Sequence, residues 1–227
     1  MKVFVAGATG ATGQRVVKAL VQRQIPVRAL VRDLDRGKEC LTEMEITGEA
    51  AALVELVTGD VLDRKSLEGA IADCTALICA TGARPSLNPT GPFMVDYVGT
   101  QNLVNVAKEQ KIEQFVLVSS LCVSRFFHPL NLFWLVLFWK AQAEAYIKAS
   151  GLTYTIVRPG GLKNEDNADA IVMEKADTLF EGSIPRTKVA QVAVEALFQS
   201  SAHNKIVEVV ARSDAEKQSL DQLFVRV

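Results

Sequence analysis

The sequence predicts a single-domain α/β fold, a doubly wound Rossmann-type parallel sheet of about seven strands. Short apolar runs alternate with amphipathic helical stretches along the whole chain. The runs are apolar at successive positions rather than at every second one, as strands covered on both faces must be. The first run leads at once into a glycine-spaced turn, GATGATG at 7–13, and then into a helical pattern. A length of 227 residues suits one domain with small lid elements, expected near 126–139 and 163–186.

The elements follow in order. KVFVAG (2–7) is a short apolar strand. In 13–24, Val16, Val17, Leu20 and Val21 share one helical face. IPVRALVRD (25–33) is a second strand, and a charged helical piece covers 35–52. LVELVTGD (53–60) is a third strand, and DRKSLEGAIADC (63–74) is a helix capped by Asp63. A fourth strand, TALICATG (75–82), precedes a Pro/Gly-rich loop (83–92) and a helix over 95–110. QFVLVSS (114–120) is a fifth strand, and a long helix is expected over 131–150, ending at Gly151. TYTIVRP (153–159) is a sixth strand. The mixed stretch 163–184 holds a short strand at AIVMEK, and a helix over 187–200 and a strand over 205–212 complete the chain.

Composition narrows the function. The chain is 49% hydrophobic and 22% charged, with a net charge of −1 and no basic run, which argues against disorder and against nucleic acid as a partner. Cys40, Cys74, Cys79 and Cys122 form no CxxC pair and lie in or beside apolar segments, so buried thiols in a reducing cytosol are expected. Two histidines, His128 and His203, make no zinc site, and no metal is expected. The apolar N-terminal run is too short for a signal peptide, so the expected location is the cytoplasm. The segment FFHPLNLFWLVLFW, 126–139, contains His128, Pro129 and Asn131 and falls short of a membrane span. Its aromatic content suits a small planar substrate, a partner protein or peripheral contact with a membrane.

A strand, then Gly7, Gly10 and Gly13, then a helix is the context a dinucleotide site needs. One glycine makes the turn, another admits the pyrophosphate, and the last lets helix and strand pack closely. N–H groups at the helix start, around Ala11, face the phosphates, and the Thr9 and Thr12 hydroxyls add donors. The residue ending the second strand reads the adenosine ribose: an acid there selects NAD, an arginine NADP. LVRD offers both Arg32 and Asp33, and spacing alone does not choose between them. Arg36 and Lys38 either reinforce a 2′-phosphate site or form a solvated helix start.

The GxxGxxG spacing resembles the short-chain dehydrogenase/reductase superfamily. More narrowly it is similar to the atypical NAD(P)H-binding branch that includes NmrA-like proteins and biliverdin reductase B. VRALVRD, TGDVLD, ICATGA, VLVSS, WKAQAEAYIKASGLTYTIVRPGGL and IPRTKVAQVAVEAL occur in that family's order and cover nearly the whole chain. The resemblance favours Arg32, and therefore NADP(H) with NAD(H) as the alternative. It implies that Asp60 and Val61 lie beside the adenine. Ala80, Thr81 and Gly82 end the fourth strand where the cofactor crosses the sheet. The resemblance also implies that Pro159, Gly160, Gly161 and Leu162 bound the nicotinamide through backbone groups.

Ordinary members of the superfamily use a serine and Tyr-x-x-x-Lys. Here Ser119 and Ser120 end the fifth strand and Lys140 lies on the next helix, but Val136 stands where the tyrosine belongs. Lys140 follows 130–139, in which Asn131 is the only polar residue, and the resemblance implies that it bonds the nicotinamide ribose. His128, on the loop before that helix, is an alternative acid. Tyr97 reads as core packing, Lys148 as solvated, and Tyr146 is on a different helical face. These residues imply an NADPH-dependent oxidoreductase that reduces a flavin, quinone or tetrapyrrole without a Tyr-Lys pair. The alternatives are a non-catalytic redox-sensing or scaffold protein and, more weakly, a nucleotide-sugar epimerase or dehydratase.

Overall fold

The computed structural model describes residues 1–83 and 88–227; positions 84–87 of the loop expected at 83–92 lie outside the described residues. The chain runs β1 (Val3–Ala6), α1 (Ala11–Gln22), β2 (Val27–Val31), α2 (Leu34–Glu43), α3 (Gly48–Ala51), β3 (Val54–Thr58), α4 (Arg64–Ala70) and β4 (Ala76–Cys79). It continues through α5 (Gly99–Glu109), β5 (Gln114–Val118), α6 (Val136–Ala149), β6 (Tyr154–Pro159), β7 (Gly161–Lys163), β8 (Ala170–Lys175), β9 (Ser183–Pro185), α7 (Arg186–Glu195), β10 (Lys205–Arg212) and α8 (Leu220–Arg226).

The main sheet has eight strands in the order β3-β2-β1-β4-β5-β6-β10-β8. Among the described residues only β8 is antiparallel in this sheet, pairing Met173 with Val209 at the edge. It is the short strand expected at AIVMEK. Alternate residues of each strand feed two separate cores. Val3, Val5, Ala29, Ile78 and Val116 face α1 and α7, whose Val16, Leu20, Val189 and Ala193 cover them. Phe4, Leu77, Phe115 and Ile156 face the other way, under Leu67, Leu103, Val104 and Ile147. Burial on both faces is why these strands read as continuous apolar runs. The connections diverge between β1 and β4, which makes the carboxyl ends of those two strands the crevice where an open α/β sheet holds its ligand.

Asp63 caps α4 through the Lys65 N–H, as expected. All four cysteines are buried and free. No helix among the described residues is long and apolar enough to cross a membrane.

Several boundaries differ from the sequence reading. The piece expected over 35–52 divides at Glu45, which has φ 61°, into α2 and α3. The helix expected over 95–110 opens with a π-helical turn, Phe93–Val98. The helix expected from 131 starts at Val136 instead. Asn131 is the reason: its Oδ1 accepts from the N–H of Leu137 at 2.9 Å and of Phe138 at 3.1 Å, while its Nδ2 donates to the Phe126 carbonyl at 2.7 Å. The one polar residue in the run caps the helix from outside it. The α8 helix was not expected beyond the last strand, although Ser219 and Gln222 form a capping box that is visible as S-L-D-Q.

Candidate dinucleotide site

The glycine turn sits at the crevice. Gly7 has φ +82°, and a Cβ there would stand 2.7 Å from the Ala80 carbonyl oxygen. A Cβ on Gly13 would stand 2.0 Å from the Gly7 carbonyl oxygen, so only hydrogen fits between the helix start and the turn. The Gly10 N–H closes the turn on that same oxygen at 2.9 Å. Gly10 is also the N-cap of α1, with no capping side chain and no acid in the first turn. The N–H groups of Ala11, Thr12 and Gly13 therefore have no intrahelical acceptor, and the helix dipole adds positive potential there. Thr12 is buried and Thr9 half-buried beside them. A bare, glycine-walled helix N-terminus of this kind fits a diphosphate.

At the adenosine end, Arg32 and Asp33 take different roles. Asp33 caps α2, its Oδ1 accepting from the N–H of Asp35 at 2.8 Å and of Arg36 at 3.1 Å. Arg32 is exposed, and nothing among the described residues bonds its guanidinium. Arg36 pairs with Glu43 at 2.8 Å and Glu39 at 3.0 Å, and Lys38 pairs with Asp35 at 3.0 Å. Both helix cations are thus neutralised on their own helix. Asp60 bonds the Leu62 N–H at 2.9 Å and so holds its own turn. Val61 turns its side chain into the core, where a Cβ on Gly99 would stand 2.8 Å from its Cγ2, and its carbonyl accepts from Asn102 at 2.8 Å. Among the groups expected near the adenosine, Arg32 is the one left open to a ligand.

At the other end of the cleft, Lys140 Nζ forms an ion pair with Asp96 Oδ1 at 2.7 Å. Asp96 comes from the π-helical turn and is buried. Its Oδ2 accepts from the Ala83 N–H at 3.3 Å, while Oδ1 faces the Lys140 ammonium. A Cβ on Gly82 would stand 3.7 Å from Asp96 Oδ1 and 4.0 Å from Lys140 Nζ, which places the pair against the carboxyl end of β4. Burial pulls the Lys140 pKa down, but the Asp96 carboxylate more than offsets it, and the ammonium is held above its ordinary 10.5. Cys79 Sγ and Thr81 Oγ1 share a bond at 3.2 Å nearby, and burial pushes that thiol up.

Other expected site residues are committed elsewhere. Ser119 is buried and donates to Glu144 Oε1 at 2.6 Å, so its hydroxyl serves a structural acceptor. His128 caps the 3-10 turn Pro129–Leu132, its Nδ1 accepting from the Leu130 N–H at 3.2 Å. The N–H of Gly160 goes to Val209 O at 2.9 Å, that of Gly161 goes to Gly182 O at 2.9 Å, and Pro159 O accepts from Leu121 at 2.9 Å. Strand β10 takes the Gly160 N–H and the turn before β9 takes that of Gly161, so these donors do not bound the ring, and Leu162 offers an exposed side chain instead. Val136 is half-buried one turn before Lys140. Tyr97 stacks on Trp139 at 5.8 Å, and Tyr146 donates to Asn105 at 2.8 Å. Neither tyrosine replaces the missing one.

The NAD(P)H-binding family model matches residues 7–200. The chain belongs to this family. It is an atypical short-chain dehydrogenase/reductase that binds a nicotinamide dinucleotide. It is 47% identical over 237 residues to the chloroplastic protein At2g34460 of Arabidopsis thaliana, covering 100% of this chain and 82% of that one. It is 36% identical over 243 residues to the chloroplastic protein TIC 62 of Pisum sativum, covering 99% of this chain but 46% of that one, so it spans about half of that relative's length. Sanguinarine reductase of Eschscholzia californica is 29% identical, with 94% of this chain and 90% of that one covered. The oxidoreductase ylbE of Lactococcus lactis superposes with a TM-score of 0.82 at 20% identity, covering 100% of this chain and 96% of that one.

Two features of this family member escaped the sequence reading. Asp96 is one; the signal was an acid inside the otherwise apolar FMVDYV. The other is a buried ionic cluster. Arg158 Nη2 bonds Glu144 Oε2 at 2.7 Å, and its Nη1 reaches Asp177 at 2.9 Å and Glu208 at 3.3 Å. Glu208 in turn accepts from the N–H groups of Asp177, Thr178 and Leu179. Charged residues inside apolar strands, as in TIVRP and KIVEVV, must be paired, and that was the legible sign.

Proposed function

We propose that this protein is an NADPH-dependent reductase of a planar acceptor such as a flavin, quinone or tetrapyrrole, working without a Tyr-Lys pair. The observation that carries the reading is the Lys140–Asp96 pair beside Gly82, with Val136 one turn earlier. The dinucleotide, once bound, supplies hydride. Lys140 would hold the nicotinamide ribose, its ammonium fixed in place by the Asp96 carboxylate at 2.7 Å. A lysine pKa held above 10.5 suits a fixed positive charge rather than a proton donor, so the acceptor takes its proton from water. Sanguinarine reductase among the relatives supports reduction as the activity class.

Stopped-flow mixing of the NADPH-loaded protein with flavins, quinones and bilins tests this, and absence of turnover with every acceptor would overturn it. The Lys140 charge adds a pH signature. A folded pKa raised above the unfolded value stabilises the fold fully below about 10.5 and loses that contribution as pH rises through the folded pKa. Turnover should therefore show no inflection from this group between about pH 6 and pH 9. A Lys140-dependent step inside that range would contradict the fixed-charge role.

The preference for NADP(H) over NAD(H) is part of the proposal. It rests on Asp33 being consumed as a cap while Arg32 stays open. Arg32→Ala should weaken NADPH about 10- to 100-fold in a fluorescence titration, from the loss of one charge-assisted phosphate contact, and leave NADH unchanged. Equal affinity of the native protein for both cofactors would remove the preference. Val136 favours a second reading, a dinucleotide-binding redox sensor that acts through a partner protein. Redox-dependent partner capture without turnover would establish it.

A further inference from the structure

Two arginines near the start of α1 have no counter-charge. Arg15, one turn into that helix, donates from Nη1 to the Ala11 carbonyl at 2.7 Å and from Nη2 to the Asn164 carbonyl at 3.1 Å. Arg186, the first residue of α7, donates from Nη1 to the Asn164 side-chain oxygen at 2.8 Å and to the Leu162 carbonyl at 3.3 Å. One residue thus braces both guanidiniums, and both side chains are half-buried. Among the described residues neither pairs with a carboxylate. Burial lowers the Arg186 pKa, repulsion from Arg15 adds to it, and no acid offsets either. Like charges held together on neutral acceptors leave charged N–H donors for an anion.

The nearby acids do not fill this role. Glu165 and Asp166 are exposed on the same loop and form no ion pair among the described residues. Arg15 also lines a groove of about 440 Å³ across α1, in which Glu43 is taken by Arg36 and Lys18 faces Glu45 at 3.8 Å. That leaves Asp166 as the one open acid of the groove, against two open arginines beside it. The phosphates of the dinucleotide have other partners, the bare start of α1 and Arg32. Arg186 instead leans on Leu162, just after the end of β6 that the family places beside the nicotinamide.

We propose that Arg15 and Arg186 form an anion subsite for the phosphate or carboxylate group of the acceptor. The inference rests on the reductase reading and narrows it. Guanidinium forks match both oxyanions, so flavin mononucleotide or a bilin with free propionates uses the pair, while riboflavin or a neutral quinone does not.

The test compares ligands that share a ring system and differ in the acid: flavin mononucleotide against riboflavin, and a bilin against its dimethyl ester. With the protein saturated by NADP+, fluorescence titration should show each acid binding about tenfold or more tightly than its neutral counterpart, and added salt should shrink the difference. Arg15→Gln and Arg186→Gln should each remove most of that difference and leave the neutral ligands unchanged. Arg186→Lys should restore part of it, since charge returns without the fork. Each variant should bind NADPH like the native protein, which also shows that it is folded. These are binding measurements, so absence of turnover counts against the reductase reading alone. Equal affinities within both pairs, or no saturable binding of either acid, would overturn the subsite. So would glutamine variants that lose NADPH affinity while still telling the acids from the neutral ligands, because the pair would then belong to the cofactor.

Discussion

Arg158→Met is expected to destabilise the fold by about 3–5 kcal/mol, the range seen when one partner of a buried ion pair is removed. The Arg158, Glu144 and Glu208 side chains are 7%, 4% and 1% exposed, so water reaches none of them freely. Loss of the guanidinium would leave two buried carboxylates with no counter-charge. Four elements would feel it, because Arg158 on β6 ties α6 through Glu144, β10 through Glu208 and the loop after β8 through Asp177. Urea unfolding should show a lower midpoint with an unchanged slope. Arg158→Lys should fall between the two, since one ammonium restores charge but not the fork that serves three carboxylates. A methionine variant within 1 kcal/mol of the native protein would show that the cluster contributes little. Glu144 lies one helical turn after Lys140, so loosening this cluster should also weaken NADPH binding.

Gly13→Ala carries the second large effect. Alanine is ordinarily the better helix former, so propensity alone predicts a gain. Geometry predicts the opposite. The new Cβ would stand 2.0 Å from the Gly7 carbonyl oxygen and 2.7 Å from its carbon, both backbone atoms that no rotamer change can move. The helix start must back away from the turn, at an expected cost of about 3 kcal/mol, the upper end for overpacking. That movement also withdraws the N–H groups that face the phosphates. NADPH affinity should fall about a hundredfold or more in a titration, corresponding to roughly two charge-assisted hydrogen bonds. Gly69→Ala is the control: nothing lies within 4 Å of its Cβ position, so neither stability nor binding should fall. Native-like binding by Gly13→Ala would mean that the turn does not hold the diphosphate.

The glycine turn was legible because its chemistry is local. Strand, turn and helix follow one another within 3–22, and each glycine is required by atoms close in the chain or at the adjacent β4 end. The Asp63 cap was legible for the same reason. The Arg32–Asp33 choice was not, because it depends on which side chain the start of α2 consumes. Asn131 shows the limit of periodicity most directly. In sequence it is one polar residue in a helical run, while in the fold it reaches forward to Leu137 and Phe138 and makes the helix begin later. Ser119 looked catalytic from its place at the end of β5, yet Glu144, 25 positions away, takes its hydroxyl.

By itself the sequence determined the α/β class, the strand order along the chain, the diphosphate turn and the absence of a tyrosine one turn before Lys140. These depend on patterns of two to four residues and on backbone sterics that any neighbour must obey. Tertiary structure decided which charged groups remain open to a ligand. Asp96 meets Lys140, and Arg158 meets Glu144 and Glu208, across separations of 14 to 50 residues. A buried charge takes whichever partner the packing brings within about 3 Å, and periodicity carries no information about that distance. The same packing left Arg32 without a partner among the described residues and raised Phe127 and Leu132 into water.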